Sequence, residues 1–102
     1  MKTIMVQFTI AGLKTTQYDK VWQDLREAGH DHPKGMLHHY AGEVGDNWLV
    51  IEIWESEELW TEFGKTLMPL LDKNGVPKTQ PIVLDLYYIY DQAAAGSAEQ
   101  ER

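Results

Sequence analysis

The sequence predicts an α+β fold of the ferredoxin-like kind, βαββαβ in order, with a four-stranded antiparallel sheet and two helices on one face. Three observations carry this. Four stretches alternate apolar residues with period two, two stretches repeat them every three to four positions, and only the second and third strands are joined by a tight turn. The 102 residues make one domain, 1–92, long enough to bury about two-thirds of its unfolded surface. The small and polar residues 93–102 follow as a tail expected to be flexible.

The first strand runs over 3–10, where Ile4, Val6, Phe8 and Ile10 point one way and Met5, Gln7 and Thr9 the other. Thr16 and Asp19 have the spacing of a capping pair. The helix that follows carries Tyr18, Val21, Trp22, Leu25 and Ala28 inward, with Lys20, Gln23, Asp24 and Glu27 outward, and closes at Gly29. The second strand, 35–42, sets Met36, His38 and Tyr40 on one face and Leu37, His39 and Ala41 on the other. Gly45, Asp46 and Asn47 make a hairpin turn. The third strand, 48–54, has Leu49, Ile51 and Ile53 on an aliphatic face opposite Trp48, Val50, Glu52 and Trp54. Ser56, followed by Glu57 and Glu58, is an N-cap with acids in the first turn, where the helix dipole favours them. The second helix turns Leu59, Trp60, Phe63, Leu67, Leu70 and Leu71 inward, and Pro69 is expected to kink it or end its regular part. The last strand spans 81–90.

Composition narrows the function classes. With 43% hydrophobic and 25% charged residues the chain has ordinary globular values, and it lacks an apolar run of about 18 residues, so a membrane-spanning chain is not expected. A net charge of −7 repels phosphate, so neither nucleic acid nor anionic membrane is an expected partner. The absence of cysteine excludes a disulfide framework, a thiolate nucleophile and a thiolate-ligated metal. Met1 to Val6 enter strand pattern directly, without the apolar stretch of a secretory signal, and cytoplasm is the default location. If the helices cover one sheet face, Met5, Val50, Trp54, Val83, Tyr87 and Ile89 are left in water, which is more apolar surface than a monomer tolerates. The expected partner is a second copy, the two open faces closing into a dimeric α+β barrel.

The run Gly35-Met36-Leu37-His38-His39-Tyr40-Ala41-Gly42, then Trp48, Glu52-Ile53-Trp54-Glu55-Ser56-Glu57-Glu58, Leu67-Met68-Pro69 and Gly75 resembles the small dimeric α+β barrel proteins grouped with the antibiotic biosynthesis monooxygenases. The resemblance spans residues 3–90 in element order. It implies oxidation of small aromatic or polyketide-like compounds by O2 with no cofactor, the substrate's own carbanion supplying the electrons. His39 falls on the strand-two His, Glu52 and Trp54 on the Glu-x-Trp of strand three, and Ser56 on the cap. Phe63 stands where many members place a His. The haem-degrading relatives carry an Asn, Trp and His set that is matched here by Phe8, Phe63 and Lys73, and a protonated lysine is no haem ligand.

His39 is the candidate catalytic base, an imidazole facing a pocket and able to take a proton from a hydroxy-aromatic compound; the competing role is a core histidine satisfied by a carbonyl or a Tyr. Glu52 is the second catalytic candidate. A lone buried carboxylate is costly, so it needs a partner, expected to be Gln7 or a group across the dimer. Phe8, Trp22, Trp54, Trp60 and Phe63 are the candidate ligand-binding walls. His30, His32, His38 and His39 lie close in sequence, but His38 and His39 alternate across a strand, so no metal site is expected. Two other functions fit the same residues: a non-catalytic dimeric module that binds a metabolite or assembles, and an isomerase or lyase working by proton transfer alone.

Overall fold

The structure, a computed structural model, describes residues 2–92. Its elements are β1 (Ile4–Ala11), α1 (Thr15–Glu27), β2 (Met36–Val44), β3 (Asn47–Trp54), α2 (Glu57–Lys73) and β4 (Ile82–Asp85). The strands form one antiparallel sheet in the order β2-β3-β1-β4, and helical side chains pack on one of its faces. This is the expected ferredoxin-like plan.

Pairing decides which residues share a face. Ile4, Val6, Phe8 and Ile10 stand opposite Trp54, Glu52, Val50 and Trp48, and directly paired residues point the same way. That face holds the core: Val21 and Leu25 of α1 lie on Ile10, Trp48 and Val50, while Leu59, Trp60 and Phe63 of α2 lie on Ile4, Val6 and Trp54. Val50 and Trp54 therefore belong under the helices and not on the open face where the sequence reading put them. The open face is built from Met5, Leu49, Ile51 and Ile53, with Tyr40, Ile82 and Leu84 from the edge strands. Val83 pairs with Val6 and so points to the helical side.

Three helical details differ from expectation. The N-cap of α1 is Lys14, whose N–H donates to Gln17 Oε1 at 2.9 Å, so Gln17 takes the place of the Thr16 and Asp19 pair. Asp24, read as outward, is buried, and Ala28 is exposed. Burial is tolerated because Asn74 Nδ2 donates to Asp24 Oδ2 at 3.0 Å, Lys73 Nζ lies 3.6 Å away, and Lys20 pairs with the other carboxylate oxygen. The cluster ties α1 to the end of α2. Pro69 does not terminate α2, which continues four residues beyond it; the missing N–H forfeits one ladder bond while packed leucines hold the last turn. The Ser56 cap is as expected, its Oγ accepting from the Leu59 N–H at 3.2 Å.

The remaining differences lie at the sheet edges. β4 is four residues long rather than ten: among the described residues, the one backbone bond that continues its pairing beyond Asp85 runs from the Leu86 N–H to the Thr3 carbonyl. In β2 the register slips between Met36 and His38. Leu37 is the extra residue of a β-bulge, and it is exposed. Met36, opposite Trp54, and His39, opposite Glu52, thus share the helical face, whereas simple alternation separates them. Gly45 turns the hairpin at φ +60°, the first of two loop residues, as such turns require. The tail, 93–102, lies outside the described residues.

Candidate functional site

The chemistry concentrates where α1 crosses β2 and β3. His39 and Glu52 are cross-strand partners, and His39 Nδ1 lies 2.8 Å from Glu52 Oε2. Glu52 Oε1 accepts the Trp54 Nε1–H at 2.9 Å. On the other side of the imidazole, Tyr18 Oη stands 2.7 Å from His39 Nε2. The network assigns the protons. Glu52 accepts on both oxygens, so His39 carries its proton on Nδ1, and Nε2 accepts from the Tyr18 hydroxyl. Burial, the largest influence on Tyr18, pushes its hydroxyl above the usual phenol range, reinforced by the nearby Glu52 and Asp19 charges and opposed by Trp22. Tyr18 therefore holds its proton at neutral pH and remains a donor. The Trp22 ring meets the imidazole edge-on at 5.1 Å, and the Tyr18 ring lies over it at 6.0 Å.

Local sequence explains these placements. Tyr18 and Trp22 are one turn apart on α1 and face the same way. Glu52 and Trp54 are two apart on β3, so their side chains leave one face together. Gln7 is not a partner of Glu52, because it pairs with Ile51 on the open face.

The Tyr18, His39 and Glu52 side chains border a cavity of about 90 Å³ between helices and sheet. Carbon atoms supply nearly all of the wall, from these three residues as well as from Phe8, Trp22, Met36, Phe63, Leu67 and their neighbours. Of the expected walls, Phe8, Trp22 and Phe63 are brought together here and Trp54 and Trp60 are not. Trp54 is fully buried between the sheet and Phe63, whose ring centroid lies 5.6 Å away, and it acts on the site through Glu52. Trp60 packs on the neighbouring core cluster. The sequence reading missed Tyr18 as a site residue, although a phenol on an otherwise apolar inward stripe was a usable signal. His38 and His39 take opposite sides of the sheet, and among the described residues no three His, Cys, Asp or Glu converge on a metal position.

The chain matches no protein-family profile and no curated protein sequence. Solved structures do match. One is a candidate antibiotic biosynthesis monooxygenase of Caulobacter crescentus, with a TM-score of 0.61 and 18% identity over 87% of this chain and 92% of that one. A second, described in the same way, comes from Chloroflexus aurantiacus, with a TM-score of 0.63 and 11% identity over 87% and 97%. The chain shares its fold with these proteins. A protein of unknown function from Nitrosomonas europaea matches as well, with a TM-score of 0.59 and 14% identity over 88% and 94%. A common backbone at such identities speaks for architecture, and chemistry has to be argued from the side chains.

Proposed function

We propose that this protein binds a small hydroxy-aromatic compound in the cavity beside His39 and oxidises it with O2 without a cofactor, as an antibiotic biosynthesis monooxygenase-like enzyme. The observation that carries the reading is the chain Tyr18, His39, Glu52, Trp54, a proton path one end of which borders a ring-lined apolar cavity. His39 is held on both nitrogens and its carboxylate is held in turn, so the imidazole stands in one orientation with Nε2 toward Tyr18. The substrate hydroxyl gives its proton to Tyr18 Oη as Tyr18 passes its own to His39 Nε2, and Glu52 balances the imidazolium. The resulting anion supplies electrons to O2 and forms a carbon–oxygen bond. Cleavage of the O–O bond with loss of the ring proton then gives a quinone and hydroxide, which takes back the proton held on His39 and leaves as water. A phenol plus O2 balances a quinone plus water, so no external reductant is needed. The fold neighbours described as candidate monooxygenases support the reading.

The test is O2 uptake and quinone formation with 1-naphthol and related phenols. A one-to-one stoichiometry is expected, with His39→Gln and Tyr18→Phe each lowering kcat about 10²–10⁴-fold, because either change breaks the proton relay. Unchanged turnover in folded His39→Gln overturns the reading. Ligand binding without O2 consumption points instead to the binding-module alternative.

We further propose a homodimer through the open sheet face. In support, Tyr40, Ile82 and Leu84 there are 57%, 59% and 41% exposed, and among the described residues no helix covers them.

A further inference from the structure

We propose that Phe63 is the movable wall of the cavity and sets the size of the aromatic compound it admits. The inference rests on reading the cavity as a ligand site. At about 90 Å³ the cavity is smaller than the roughly 150 Å³ apolar hole known to hold benzene, so it takes in a whole ring only if a wall gives way. Protein interiors compress little. A wall moves readily only where space lies behind it.

Phe63 is the one described residue that borders both this cavity and a second, solvent-open cavity of about 240 Å³. The second cavity lies between the α1–β2 connection and the outer side of α2, against Gly29, His30, Pro33, Leu59, Glu62 and Thr66. Leu59, Glu62, Phe63 and Thr66 fall three, four and seven apart, which is one face of a helix. Val21, Leu25, Val50 and Val76, by contrast, are buried walls with packed protein behind them. A helical Phe has two accessible χ1 wells. The movement assigned to Phe63 is rotation between these wells toward the outer space, which leaves the backbone in place. With the ring turned aside the two spaces join and approach the ~300 Å³ at which ligand pockets begin. A fused-ring phenol then lies with its hydroxyl against Tyr18 and His39 and its far end in the outer, more polar space beside His30, Glu62 and Thr66.

The experiment measures phenol and 2-naphthol affinities by ligand-observed NMR for wild type, Phe63→Leu, Phe63→Trp and, as a control wall, Phe8→Leu, with His39→Gln alongside. Phe63→Leu should tighten 2-naphthol about tenfold relative to phenol, the discrimination expected when pocket volume is the limit. Phe63→Trp should shift the ratio the other way, and Phe8→Leu, which enlarges the cavity without opening it toward the second one, should shift it clearly less than Phe63→Leu. An unchanged ratio in both Phe63 variants overturns the proposal, as does an equal shift in Phe8→Leu. Absence of binding of either compound to both wild type and Phe63→Leu overturns it as well. If the ratio follows Phe63 while phenol affinity ignores His39→Gln, the movable wall stands and the proton path beside it falls. If affinity depends on His39 and the ratio ignores Phe63, the proton path stands and the movable wall falls.

Discussion

Glu52 and Asp24 are both buried carboxylates, and their different partners give them different parts. Glu52 accepts from Trp54 and His39, both held by the sheet, so it orients an imidazole. Glu52→Leu strands the Trp54 and His39 donors and should lower stability by about 1–3 kcal/mol, measured by urea unfolding, and should release His39 from its Nδ1–H tautomer, a change that ring NMR signals would report. Asp24 instead joins two helices. Its carboxyl is lowered to about 2, chiefly by Lys20, then by Asn74, against the opposing effect of burial. A lowered folded-state value means stability that is fully present above the ordinary carboxylate range and is lost as pH falls toward 2. Thermal melting of the wild type should therefore drop between about pH 4 and pH 2, and Asp24→Asn should flatten that part of the profile. An unaltered profile would remove Asp24 from the acid response.

At the scale of elements, close approach and register matter most. Gly35 has φ +92°, and a Cβ there would lie 2.5 Å from Leu59 Cδ1, so β2 can begin beneath α2 only with glycine at that point. Gly35→Ala should cost about 1–3 kcal/mol, read from the melting transition. Gly42→Ala, at ordinary φ and with no atom within 4 Å, is the control and should be near neutral. The periodicity of β1 and α1 and the Ser56 cap were legible because each is written in the spacing of a few neighbouring residues. The bulge at Leu37 was not: alternation alone puts Met36 with His38, and an extra unpaired residue shows itself only against the partner strand. The short β4 was hidden for a similar reason, since residues 86–90 alternate like a strand but have no ladder on β1.

For the whole molecule, the described residues leave one face of the sheet largely apolar and without helices, and the segment after β4 exposes Tyr87 completely and Tyr88 to 72%. A second copy covering this surface would need to bury at least about 1,000 Å² in total. Sedimentation equilibrium at micromolar concentration should give twice the chain mass for the wild type and move toward the single mass for Leu84→Lys. A monomer in the wild type sinks the dimer proposal without touching the site within each chain.

From the sequence alone come the element order, the fold class, the apolar stripe of each helix, and His39 and Glu52 as the residues to watch, because period, capping and turn chemistry act over a few residues. The tertiary structure alone decided that Tyr18 meets His39, that Glu52 answers His39 and Trp54 rather than Gln7, and that Trp60 stays out of the cavity. Those contacts join residues up to 21 positions apart and exist only once the sheet register is set and α1 has crossed it, when packing, not local preference, chooses each side chain's neighbours.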